Sequence, residues 1–139
     1  MQIRPFEFKD TESVISLWDR CQLTVPWNDP QKDIDRKSVV GKELFLVGSA
    51  NGVIVAAVMG GYEGHRGWMN YLAVDPDHQR QGYGQQLVQA LEKELLSLGC
   101  PKINLQIRQG NHAVQAFYES LGFTEDKVMS MGKRIIPDN

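Results

Sequence analysis

Between Trp68 and Leu98 an apolar strand runs into a loop with two close glycines, and the loop runs straight into an amphipathic helix. The centre of this stretch reads Leu72-Ala-Val-Asp-Pro-Asp-His-Gln-Arg-Gln-Gly-Tyr-Gly-Gln-Gln-Leu87. A buried strand joined this tightly to a helix requires a layered α/β arrangement. The glycines allow a sharp backbone turn and close approach of a ligand. The first helical turn offers unpaired N–H groups and a positive dipole end, a seat for phosphate, and Arg80 adds a charged fork. Two familiar phosphate motifs are excluded. A Walker loop needs Gly-Lys-Ser/Thr, and this loop has no lysine. The dinucleotide fingerprint needs a third glycine where Leu87 stands.

The flanking elements follow from periodicity. Residues 2–8 alternate like a first strand. Asp10 is placed to cap a helix with Val14, Ile15, Trp18 and Cys21 on one face. Val25 to Pro30 is a turn-rich loop, and a more polar helix covers about residues 31–40. Leu44–Ser49 and Val53–Met59 flank Ala50-Asn-Gly52, a strong hairpin signal. Gly60–Gly67 reads as a flexible connection, and Trp68–Val74 as the third strand of that sheet. In the helix over 82–98, Leu87, Leu91 and Leu95 repeat every four residues, with Val88 and Leu98 on the flank, and Gly99 and Pro101 stop it. Ile103, Leu105 and Ile107 alternate with polar residues as a half-buried strand. Asn111 caps a short helix that Gly122 ends. Phe123–Val128 and Met129–Ile136 read as final strands. The expectation is one domain over residues 1–139, of α/β (α+β, mixed-sheet) class, with six to seven strands flanked by about four helices.

Charge and cysteines narrow the function. A net charge of −2 and a pI near 5.9 argue against a nucleic-acid footprint, which needs a basic excess. Cys21 and Cys100 have no metal-type spacing with each other or with His65, His78 and His112, so no metal is expected and both thiols read as free. Met1–Lys9 contains Arg4, Glu7 and Lys9 and no signal-peptide core, and the longest apolar run, Val53–Met59, is too short to span a bilayer. A cytoplasmic location without a membrane partner is the expectation.

The spacing Gln79-x-x-Gly82-x-Gly84 after a strand resembles the acyl-CoA pyrophosphate loop of the GNAT superfamily of N-acetyltransferases. Asn111, Ala116-Phe117-Tyr118 and Gly122-Phe123 resemble the second half of the same core. Pro26–Pro30, Gly61–Gly67 and Gly99–Asn104 are similar to the small bacterial YpeA-type members. The resemblance implies a GNAT-like acyl-CoA N-acyltransferase fold, acetyl-CoA as cosubstrate and an amine acceptor. It also implies site residues. The backbone of Leu72, Ala73 and Val74 would pair with the pantetheine arm. Gln79, Arg80, Gln81, Gly82, Tyr83, Gly84 and Gln85 would hold the pyrophosphate. Asn111 and Phe117 would join the cofactor contacts, and Tyr118 would protonate the leaving thiolate. On residue chemistry alone Tyr118 also reads as a core aromatic, and His65 as a surface residue.

Amine attack on a thioester builds an oxyanion and then expels a thiolate, which calls for a fixed N–H beside the carbonyl, here that of Val74, and a placed proton donor. Relatives that acetylate ribosomal-protein N-termini carry a glutamate base in a Leu-Glu-Val-Arg stretch. Here the stretch is Leu105-Gln-Ile-Arg108, and neutral Gln106 takes no proton. Glu63 and His65, on the glycine-rich loop, are the candidate bases. A lysine amine is only about 0.04% neutral at pH 7 and an α-amine about 14%, so a weak base favours the α-amine. The alternative reading is a non-catalytic acyl-CoA-binding sensor. The edge near Met129–Ile136 offers a homodimer a place to pair.

Overall fold

The computed structural model describes all 139 residues, in two units: Met1–Leu105 with Asp138–Asn139, and Gln106–Pro137. The first unit is built on a sheet ordered β1 (Gln2–Pro5), β2 (Phe45–Ala50), β3 (Val53–Tyr62), β4 (Gly67–Val74) and β5 (Ile103–Asn104). Its helices are α1 (Thr11–Arg20), α2 (Pro30–Lys37) and α3 (Tyr83–Ser97). Strands β1 to β4 are antiparallel, and β5 joins parallel to β4. A parallel neighbour needs a crossover, which α3 supplies. The β2–β3 turn places Asn51 at φ 53° and Gly52 at φ 79°, the two left-handed residues that suit a tight hairpin.

The two faces of the sheet are covered differently. Val14, Leu17 and Trp18 of α1 and Ile34 of α2 pack with Phe6, Phe45, Val47, Ala57 and Ala73 on one face. A column of near-parallel rings runs through this layer. Centroids are 4.4 Å apart for Phe6–Phe45, 6.2 Å for Phe45–Trp18 and 3.9 Å for Trp18–Tyr71. Helix α3 buries Leu87, Val88, Leu91 and Leu95, the periodic set read from sequence. Each such side chain stabilises the fold by about 1.5–3 kcal/mol. Gly60 lets α3 close onto the other face, because a Cβ there would meet Leu91 Cδ1 at 2.4 Å.

β4 changes faces part-way along. Gly60 pairs with Met69 and Met59 with Asn70, but Ala57 pairs with Ala73, so Tyr71 and Leu72 together oppose Val58. Two residues against one is a β-bulge. Tyr71 occupies it at φ 55°, a left-handed conformation that costs a bulky residue about 1–3 kcal/mol. Gly67, before the bulge, faces Leu95 and Cys100, whereas Tyr71 and Ala73, after it, pack in the α1 layer. A regular strand would put all these odd-numbered residues on one face.

Several expectations are corrected. Five strands form, not six or seven. The half-buried strand over 102–108 shortens to Ile103–Asn104, and Phe123–Val128 and Met129–Ile136 form no strand. Alternation defines a face, but a strand also needs a ladder partner. The Gln106–Pro137 unit carries α4 (His112–Ser120) followed by irregular chain, with Val128, Met129, Met131, Ile135 and Ile136 exposed. Asp10 does not cap α1 with its side chain. A short 3-10 turn over Phe8–Asp10 precedes α1, and the Asp10 carboxylate accepts from the Glu7 N–H and from the Arg4 guanidinium at 2.7 and 2.9 Å. α2 starts earlier than expected, with Pro30 in its first turn and Asp29 accepting from the Gln31 and Lys32 amides. β3 runs on to Tyr62, so only Glu63–Arg66 connect it to β4.

Asp138 is held against α2. Its carboxylate accepts from the Asp29 N–H at 2.7 Å and from Arg36 at 2.8 Å, and its backbone carbonyl accepts from Lys32 Nζ at 2.7 Å.

Candidate active site

The start of α3 is uncapped. Gly82 occupies the N-cap position at φ 79°, with no side chain bonded to the first turn and no acidic residue in that turn. The Gln86 N–H bonds back to the Gly82 carbonyl, so the Tyr83, Gly84 and Gln85 amides are the donors without intrahelical acceptors. Arg80, at φ 64°, turns the loop left-handed two residues earlier. Gln79, Arg80, Gln81 and Gly82 are exposed. By contrast α2 and α4 both have capping side chains, Asp29 and Asn111. A helix of fifteen residues whose positive end is uncapped and has no acidic residue in its first turn is a ready anion seat.

β4 leads into this seat with an open edge. It pairs with β5 only at Gly67–Ile103 and Trp68–Asn104, where β5 ends. Leu72, Ala73 and Val74 therefore follow the bulge on a strand with one ladder partner. The Val74 carbonyl accepts from Cys21 Sγ at 3.2 Å and from Gln79 Nε2 at 3.4 Å. Burial pushes the Cys21 thiol up, so it stays protonated and makes a poor acyl carrier. Just past Val74, buried Asp75 pairs with Arg20 at 2.6 Å and accepts from the Asp77 N–H. Burial alone would raise its carboxyl, but the Asp77 amide, Arg20 and His78 hold it below the usual carboxylate range. The α1–β4 junction is thus fixed beside the loop.

In the Gln106–Pro137 unit, Asn111 accepts from the Val114 N–H at 3.2 Å, the cap read from sequence. Tyr118 is buried, with Phe117 and Phe123 meeting its ring edge-on at 5.1 and 5.5 Å. Burial pushes its hydroxyl up to about 12. Gln106 is exposed and its amide donates to Ser130 Oγ.

The two candidate bases lie at the other end of β4. Glu63 Oε1 accepts from the His65 and Arg66 amides and so braces the β3–β4 turn, and His65 is exposed. The steps from Gly67 to Ala73, at about 3.3 Å each, set that turn roughly 20 Å from Leu72–Val74. Both residues are therefore remote from those amides. Sequence reasoning missed Tyr71 and Asp33, whose side chains meet at 2.7 Å. No local signal marks the pair, because it joins a strand to a helix 38 residues away.

Residues 12–123 match the model of the family described as the acetyltransferase (GNAT) family. An acetyltransferase of Yersinia pestis (strain Pestoides F) is 49% identical over 138 residues, covering 99% of this chain and 98% of that one. An acetyltransferase of Pectobacterium atrosepticum matches at the same identity and coverage. Among solved structures, the ribosomal-protein-S18-alanine N-acetyltransferase of Escherichia coli superposes with a TM-score of 0.76 at 29% identity, over 89% of this chain and 77% of that one. An N-acetyltransferase of Thermoplasma acidophilum, solved with coenzyme A, shares the fold at a TM-score of 0.74 and 18% identity, over 92% of each chain.

Proposed function

The chain belongs to the GNAT family of acetyltransferases, and on that premise we propose that it moves the acetyl group of acetyl-CoA directly to a primary amine, preferring an α-amine or another amine of low pKa. The observation that carries this reading is the uncapped start of α3 beside the open edge of β4. The Tyr83, Gly84 and Gln85 amides, with the loop from Gln79 to Gly82 and the Arg80 side chain, take the diphosphate. The Leu72–Val74 backbone takes the amide groups of the pantetheine arm as an added strand. Asn111 and Phe117 join the cofactor contacts, and Tyr118 serves the sulfur.

The chemistry follows from these roles. The neutral amine forms a bond to the thioester carbon, and the Val74 N–H stabilises the negative oxygen. The C–S bond then breaks and its electron pair goes to sulfur. At about 12, the Tyr118 hydroxyl is fully protonated at neutral pH. Complete transfer from it to a thiolate near 8.5 is uphill by about 5 kcal/mol. Tyr118 therefore acts through a hydrogen bond that strengthens as charge builds on sulfur and keeps its own proton, and the proton lost by nitrogen passes through solvent to the released thiolate. Gln106 takes no part in proton removal, which is the reason a low-pKa amine is preferred.

Calorimetry with CoA tests the seat, and thiol release from acetyl-CoA across peptides, free amino acids and polyamines, with products read by mass spectrometry, tests the transfer. Peptides with a free α-amine are expected to react faster than N-blocked peptides that offer lysine alone, and the reverse order would overturn the preference. CoA binding without release from any acceptor would support an acyl-CoA sensor instead. Absence of CoA binding would remove both readings.

A further inference from the structure

Tyr71 alone in β4 adopts a left-handed backbone, and the three residues after it are those assigned above to the pantetheine arm. Two contacts hold it there. The Trp18 ring lies against its ring at 3.9 Å and 12°. At the far tip, the Tyr71 hydroxyl donates to Asp33 Oδ2 at 2.7 Å. The contacts act along different directions. A flat stack resists separation of the rings but allows sliding within their plane, whereas a hydrogen bond at the hydroxyl fixes the slide. Asp33 is itself well seated. Its helix is capped by Asp29, its neighbour Ile34 is fully buried, and its second oxygen lies 3.7 Å from Arg36, which also holds Asp138. Asp33 touches neither the loop at Gly82 nor any residue assigned above to the reaction.

We propose that Asp33 is a positioning residue for acetyl transfer: by accepting the Tyr71 hydroxyl, its carboxylate holds the left-handed turn that aims the Leu72–Val74 amides. The role rests on the transferase reading above. An amide displaced by a fraction of an ångström still pairs with the cosubstrate, because pairing along a strand is spread over several bonds. The same displacement misdirects the single N–H that meets the oxyanion. Loss of Asp33 therefore lowers kcat and leaves the KM for acetyl-CoA nearly unchanged.

Four variants, Asp33→Ala, Asp33→Asn, Tyr71→Phe and the double Asp33→Ala/Tyr71→Phe, are compared with the wild-type chain in thiol release from acetyl-CoA, with CoA affinity measured by calorimetry. Asp33→Ala and Tyr71→Phe are each expected to lower kcat about tenfold to a hundredfold, the scale of a small misplacement, with KM for acetyl-CoA within about threefold. Asp33→Asn keeps an acceptor oxygen for the hydroxyl and is expected to restore most of the rate. The double variant is expected to be no worse than either single one, since both remove the same bond. Wild-type kcat in Asp33→Ala, no rescue by Asp33→Asn, or a double variant that loses the product of the single losses each overturns the role while leaving the transferase intact. A wild-type chain that binds no CoA fails the transferase reading itself, and the positioning role with it. If Asp33→Ala does not fold, Tyr71→Phe keeps the Trp18 stack and delivers the same kcat test.

Discussion

Tyr118 lies among aromatic rings with its hydroxyl proton held tightly, and its substitution separates binding from chemistry. Tyr118→Phe keeps the aromatic ring that meets Phe117 and Phe123 edge-on and removes only the hydroxyl. Turnover is expected to fall about 10²–10⁴-fold, with CoA affinity unchanged by calorimetry. Asp10 gives a second prediction, in stability. The paired Arg4 guanidinium, more than the Glu7 amide, holds its carboxyl below the ordinary range. A carboxyl lowered by folding contributes stability above its unfolded value, near 4, and loses it as pH falls through the folded value. The difference in melting midpoint between wild type and Asp10→Asn is therefore expected to be constant from about pH 7 to 5 and to shrink below about pH 4. Residues that act through sequence neighbours were legible. Asn111 caps where its position before a helix says it should. Asp10 shows the limit: its acidity near a helix start was plain, but its partners were set by a 3-10 turn and by Arg4 across the strand end.

Elements with strong local signals came out of the sequence nearly intact. The Asn51-Gly52 turn and the leucine repeat of α3 need no distant information, since backbone handedness and one periodic face determine them. β5 and the segments after α4 did not, because a strand exists only with a partner, and alternation in Lys102–Arg108 or Phe123–Val128 is silent about partners. Two glycines at α3 test what the element needs. Gly60→Ala puts a methyl into Leu91 and the Leu44 carbonyl, with an expected cost of about 1–3 kcal/mol in chemical denaturation. Gly82→Ala meets no close neighbour but forces alanine to φ 79°, a cost of about 1–2 kcal/mol that falls on the loop. CoA affinity in Gly82→Ala is expected to weaken about tenfold, while Gly60→Ala, once folded, binds as the wild type does.

Over the whole molecule, the contacts that organise the first unit span long stretches of chain. Asp138 reaches Asp29 and Arg36 across separations of 109 and 102 residues, and no composition or period announces it. Asp138→Ala is expected to lower the melting midpoint by about 3–6 °C and to speed proteolytic cutting within Gln106–Pro137. An unchanged midpoint would show that the contact is incidental. The ring column has a consequence for how such experiments are observed. Trp18 is sealed from solvent, whereas Trp27 and Trp68 are 58% and 38% exposed. With Trp27 and Trp68 replaced by phenylalanine, Trp18 becomes a sole indole fluorophore lying 3.9 Å from the tyrosine that turns β4. Its emission then serves as an internal gauge of that turn, and a ligand threading along the strand can be timed by stopped flow without any attached dye.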